Sequence, residues 1–209
     1  MLYKNKYRSE SARLRNWDYS SNGYYFVTIC THDRKHHFGT INDGMVALSE
    51  MGDIADKYWR EIPDHFSFAH SEGHVIMPNH VHGIVEIDVA ESDRICRDAN
   101  NRVPTDAVPA FAPADAPIAG GITKSHNPML NPFSLSKIIR WYKGRVAFEI
   151  NKNILAHDFR WQSRFYDSIL KTDADLFRVK AYIVNNPHSW NNDDLFSSIN
   201  SDALTSATL

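Results

Sequence analysis

Apolar positions along the chain recur with two different periods. "GYYFVTICT" (residues 23–31) is aromatic and β-branched and predicts a strand; the polar turn "HDRKH" and a short "HFGTI" follow, as if to complete a hairpin with it. Across "VALSEMGDIADKYWREIPDHF", Leu48, Met51, Ile54, Ala55, Tyr58, Trp59 and Ile62 fall at helical spacing, with Pro63 closing the pattern. "FAHSEGHVIM" and "HVHGIVEI" then read as two antiparallel strands turning at Pro78 and Asn79. A second helix is expected in "SLSKIIRWYKGRVAFEINK", where Ser134 can cap and Leu135, Ile138, Ile139, Tyr142 and Val146 share one side. "SRFYDSIL" reads as a further strand. "TDADLFRVKAYIVNNP" opens with Thr172 and Asp175 in the capping-box relation and reads as a last helix ending near Pro187.

The order strand, helix, strand, strand, helix, strand, helix is that of a split βαβ, ferredoxin-like α+β fold. It implies an antiparallel sheet with helices on one face and an added C-terminal helix, the second face being left for a partner or a second copy. Between the ordered halves, residues 91–131 are rich in Ala, Pro, Asp and Gly and hold no sustained period, which reads as a flexible insertion. The expected organisation is a basic, aromatic N-terminal arm (1–22), one domain from 23–90 and 132–190, the insertion, and a polar tail (191–209). No internal repeat is visible.

Composition narrows the setting. The 209 residues, 43% hydrophobic, suffice for one core. Cys30 and Cys96 are the two cysteines, and no apolar run approaches the roughly 20 residues of a membrane span. The N-terminus lacks the apolar stretch of an export signal, so a reducing, cytoplasmic protein without a membrane partner is expected. The net charge of −2 hides segregation: residues 1–37 carry +4, 38–131 carry −8, 132–180 carry +5 and the remainder −3. Two basic blocks that meet would form a groove for a phosphate backbone; two that do not would simply be solvated faces.

Candidate chemistry starts at "MPNHVHG". Residues i and i+2 of a strand point to one side, so His80 and His82 present their rings together and can share a divalent ion. Hydrogen-bonded histidines on a half-exposed strand would show the same pattern. In "KAYIVNNP", Tyr182 and Asn186 lie four apart on one helix face, offering a phenol and an amide oxygen to the same place. A tyrosine beside a metal can attack a phosphodiester and conserve its bond energy in a phosphotyrosine. Equally, Tyr182 reads as a core residue with its hydroxyl at the edge, Asn186 as a helix terminus before proline, and Tyr166 as a rival nucleophile. A Zn²⁺ hydrolase with His74 as a further ligand is a third reading; the histidine strand carries no acid placed as its general base.

Taken together, "YYFVTICTHDRKHHFG", "HVIMPNHVHGIV", "LSKIIRWYKGRV", "WQSRFYDSIL" and "AYIVNNPHSW" resemble the REP-associated tyrosine transposases, within the HUH-type single-tyrosine transposases. The resemblance spans nearly all of the chain outside the insertion and tail. It implies a ferredoxin-like fold, cleavage of single-stranded DNA with Mg²⁺ or Mn²⁺, a 5′-phosphotyrosine link, and recognition of palindromic DNA hairpins. By position His80 and His82 match the histidine pair, Tyr182 the nucleophile and Asn186 the further ligand. Charge and aromaticity alone nominate Arg13, Arg15, Lys137, Arg140, Lys143 and Arg145 for backbone contacts and Tyr3, Tyr7 and Trp17 for base stacking. A hairpin-binding protein with reduced or lost cleavage is the alternative, although a pure binder has no need of the four matched residues. The sequence is compatible with a monomer and with a homodimer.

Overall fold

The computed structural model describes residues 17–89, 133–154, 159–193 and 195. Tyr3, Tyr7, Arg13, Arg15, the 91–131 insertion and most of the tail lie outside them. A four-stranded sheet forms from β1 (Gly23–Cys30), β4 (Ala69–Met77), β5 (His80–Ile87) and β6 (Tyr166–Leu170) in the order β4-β5-β1-β6, each neighbour antiparallel. Counted along these four strands, that is the order 2-3-1-4, which makes the expected α+β, split βαβ arrangement.

Two details of the first half differ from the pattern reading. Residues 39–42 do not pair with β1. They form β2 (Gly39–Asn42) and pair with β3 (Met45–Leu48) in a separate two-stranded sheet. Asp43 and Gly44, with φ of 52° and 74°, make the two-residue turn, and both left-handed conformations suit an Asp-Gly hairpin. Leu48, assigned above to the helix, therefore ends a strand, and α1 (Glu50–Arg60) starts only after Ser49, whose side chain accepts from the Gly52 N–H. Pro63 falls in the first turn of a short helix, α2 (Ile62–His65), where its missing N–H costs nothing.

Helix α3 (Leu135–Asn153) buries the expected side, Leu135, Ile138, Ile139, Tyr142 and Val146, together with Ile150. Ser134 occupies its N-cap position without a side-chain cap; its Oγ is buried with no hydrogen bond from a described residue. α1 and α3 cover one face of the sheet, packing Trp59 and Tyr142 with Tyr25, Val27, Ile29, Val81 and Val85 in the main core. The last helix, α4 (Asp173–Asn185), is capped by Thr172, which accepts from the Asp175 N–H and donates to its carboxylate. It lies on the opposite face over a smaller core of Ile84, Leu170 and Ile183, flanked by Phe26, Val75, Leu176 and Val179. The second face expected to stay open is thus partly covered by the chain itself. No helix among the described residues is long and apolar enough to cross a membrane.

Coverage from both sides explains why β5 is buried along almost its whole length. It also gives the glycine of "MPNHVHG" a structural task. A Cβ at Gly83 would stand 2.0 Å from Trp59 Cζ2, inside the indole ring's own space. Gly83→Ala is expected to overpack this contact and destabilise the fold by about 1–3 kcal/mol, read as a lower urea midpoint.

Candidate metal centre and nucleophile

His80 and His82 open β5 on the α4 side of the sheet, as strand alternation requires, with ring centroids 4.4 Å apart. Both are buried. His82 is fixed on both edges: Nδ1 lies 2.9 Å from Thr28 Oγ1, directly across the β1–β5 pair, and Nε2 lies 3.2 Å from the Tyr182 hydroxyl. The Phe26 ring stacks on it at 5.2 Å. His80 Nδ1 meets Asn79 Oδ1 at 2.7 Å, whereas its Nε2 is buried with no hydrogen-bond partner among the described residues.

Asn186 follows the last turn of α4 and is also buried. Its Nδ2 donates to Asp193 Oδ2 at 2.9 Å, and its Oδ1 is the second buried polar atom here without a described partner. A carboxylate only accepts, so Asp193 turns the NH₂ toward itself and leaves the amide oxygen as the unmatched end. One ligand atom each of His80, His82 and Asp193 lie within 4.8 Å of one another. Imidazole nitrogens with an amide or carboxylate oxygen suit a divalent cation such as Mn²⁺ or Mg²⁺, and two such atoms already lack partners. These residues fit a metal.

Tyr182 sits on the rim. Its neighbour Ile183 is buried in the small core while Tyr182 is 44% exposed, edge-on to Phe26 and facing an open cavity of about 460 Å³. Tyr166, on β6 opposite Thr28, lines the same cavity and is half exposed. What distinguishes Tyr182 is its hydroxyl's contact with His82. A Lys180–Glu72 ion pair at 2.5 Å ties α4 to β4 two residues before this tyrosine.

Other nominated residues lie elsewhere. Lys137 and Arg140 are exposed on α3, and Arg145 donates to the Tyr58 hydroxyl; all three belong to the helical layer across the sheet from the histidines. Lys143 donates to the Gln162 carbonyl at 2.6 Å, an internal tie whose burial lowers the amine's pKa. Trp17 packs against the main core and donates to the Tyr25 hydroxyl. His74 is not near the pair: it stacks on Trp59 and lies 2.7 Å from Asp56 on the opposite face, because its β5 partner is Gly83. Asp193 and the exposed Arg34 are not among the site residues that the sequence nominates. Arg34 is close enough to help hold His80 neutral, and Asp193 lies outside every quoted motif.

The fold and site therefore describe an α+β protein with a buried histidine pair, an amide and a carboxylate converging beside a rim tyrosine. No family model matches the chain. It is 29% identical over 186 residues to an uncharacterized protein of Haemophilus influenzae, spanning 89% of this chain and 92% of that protein. Among solved structures it is similar to a REP-associated tyrosine transposase bound to a REP hairpin, with a TM-score of 0.49 and 14% identity, over 85% of this chain and 73% of the other.

Burial pushes the His82 pKa down to about 4 and the His80 pKa well below the usual 6.5, the latter helped by His82, Arg34 and His36. Unfolded histidines take up protons near pH 6.5 that the folded pair refuses. Stability is then fully present above that pH and falls as pH drops toward 4, by up to about 3 kcal/mol from His82. Urea titrations from pH 7.5 to 4.5 should show this loss, and His82→Gln should flatten it; equal slopes for the two proteins would refute the assignment.

Proposed function

We propose that the chain is a metal-dependent single-stranded DNA endonuclease and strand transferase in which Tyr182 is the nucleophile. The observation that carries this reading is the Tyr182 hydroxyl 3.2 Å from His82 Nε2, at the open edge of a cluster with two unmatched buried ligand atoms. His80, His82 and Asn186, with Asp193 beside them, would hold a divalent cation, which would supply Lewis-acid chemistry to the phosphodiester. The remaining steps belong to the chain's own residues. The Tyr182 oxygen attacks phosphorus, the bond to the 3′-oxygen breaks, and that oxygen leaves as a hydroxyl with a proton equivalent to the one the phenol gives up. The product is a 5′-phosphotyrosine, which a free 3′-hydroxyl can later attack to rejoin the strand.

Access fits a single strand. Phe26 and Tyr166 line the cavity and offer aromatic surface for the flanking bases, and the exposed Arg34, near His80, offers charge for the backbone. Palindromic hairpins as the substrate follow from the motif resemblance, carried by "MPNHVHG", "WQSRFYD" and "YIVNNP" in that order.

With a labelled hairpin oligonucleotide and Mn²⁺, the protein is expected to leave a covalent adduct that survives denaturation. Tyr182→Phe, which has no oxygen to join to phosphorus, should leave no adduct and lower cleavage by about 10⁶-fold, the scale for deleting a nucleophile, while Tyr166→Phe keeps both. An undiminished adduct in Tyr182→Phe, or cleavage by the unaltered protein with no adduct, contradicts the assignment. Hairpin binding without cleavage would make the protein a binding module.

A further inference from the structure

Asn79 stands in the turn between β4 and β5, immediately before the histidine pair, and is fully buried. Its amide makes two hydrogen bonds: Nδ2 donates to the Leu195 carbonyl at 2.8 Å, and Oδ1 lies 2.7 Å from His80 Nδ1. A backbone carbonyl can only accept, so the NH₂ must face Leu195. Oδ1, also an acceptor only, is then the end left for His80. Hence the hydrogen of a neutral His80 ring resides on Nδ1, and Nε2 presents a bare lone pair, the same buried atom that no described residue meets.

We propose that Asn79 is a positioning residue: it locks His80 in the Nδ1–H tautomer and so presents Nε2 as a metal ligand, with the Leu195 carbonyl setting the polarity of the Asn79 amide. The ligand half of this inference rests on the reading of the histidine pair as a metal centre. The turn is pinned from its other side, since the Asn79 carbonyl accepts from both the N–H and the hydroxyl of Thr31 at 2.9 and 3.0 Å. Leu195 also donates its N–H to Asp193 Oδ1 at 2.7 Å, and Asp193 orients the Asn186 amide. One backbone unit beyond α4 therefore sets, through two different side chains, which atom of His80 and which atom of Asn186 is left unmatched. A hydrogen-bonded partner on the non-ligating nitrogen is how metal-binding imidazoles are commonly oriented, and losing one lowers metal affinity by about 10–100-fold.

The test is long-range ¹H–¹⁵N correlation of the histidine rings in the full-length, metal-free protein, with His80 assigned by its loss in His80→Gln. The unaltered protein is expected to show His80 with a protonated Nδ1 and an unprotonated Nε2. Asn79→Ala should release the ring into a mixture of tautomers and weaken Mn²⁺ binding, followed by the electron paramagnetic resonance of free Mn²⁺, by about 10–100-fold. Asn79→Asp, which keeps an acceptor for Nδ1, should restore the tautomer. A hydrogen on Nε2 in the unaltered protein, or a wild-type tautomer and affinity in Asn79→Ala, overturns the proposal. The unaltered spectrum decides the tautomer even if Asn79→Ala does not fold. Tautomer control without Mn²⁺ binding by the unaltered protein would overturn the metal reading and the ligand half with it, leaving the Asn79–His80 lock as a structural contact.

Discussion

Two imidazole rings with centroids 4.4 Å apart, both closed off from water, are the constraint around which the rest of the site is arranged. Charging both in so dry a place would set like charges against each other, so burial keeps them neutral. Neutral rings still have polar edges to satisfy. Thr28 and Asn79 meet the two Nδ1 edges, and Tyr182 meets Nε2 of His82. The remaining edge, Nε2 of His80, and the Asn186 oxygen have no described partner. Unmatched buried acceptors are costly, and a cation is the kind of group that can satisfy such lone pairs.

Strand β5 supplies this pair because it works on two sides. Val81, Val85 and Ile87 belong to the main core under α1 and α3, where Gly83 makes room for Trp59. His80, His82 and Ile84 face the opposite way, beneath α4. The larger core thereby lies in one layer and the buried polar cluster in the other. The small core of Ile84, Leu170 and Ile183 then seats α4 at a height where Tyr182 reaches His82 while remaining partly exposed. Asp193 and Leu195, just past that helix, close the arrangement by orienting Asn186 and Asn79.

Local periodicity made much of this legible. The i, i+2 histidines, the i, i+4 pair of Tyr182 and Asn186, the Thr172 cap and the order of the main strands all follow from spacing along a single element. What escaped depends on pairing or on distance. The β2–β3 hairpin takes residues 46–48 out of an apparently continuous helical pattern, since a strand of four residues carries too little periodicity to oppose the helical reading. Lys143 looked like part of a basic face, but the Gln162 carbonyl that captures it comes from a segment 19 residues away. Asp193 sits among polar residues with nothing to mark it; only the fold carries it to within ligand distance of the histidines. The layer to which α3 belongs, opposite the histidines, likewise cannot be read from its own heptads.

The central claim is that the β5 histidines and the end of α4 make one metal centre. It is tested most directly by anomalous scattering from a crystal of the protein equilibrated with Mn²⁺. The account requires a single strong peak bounded by His80 Nε2, His82 Nε2 and Asn186 Oδ1, with the Tyr182 hydroxyl and Asp193 beside it. A peak at the His74–Asp56 pair instead, or none near β5 at saturating Mn²⁺, would contradict it.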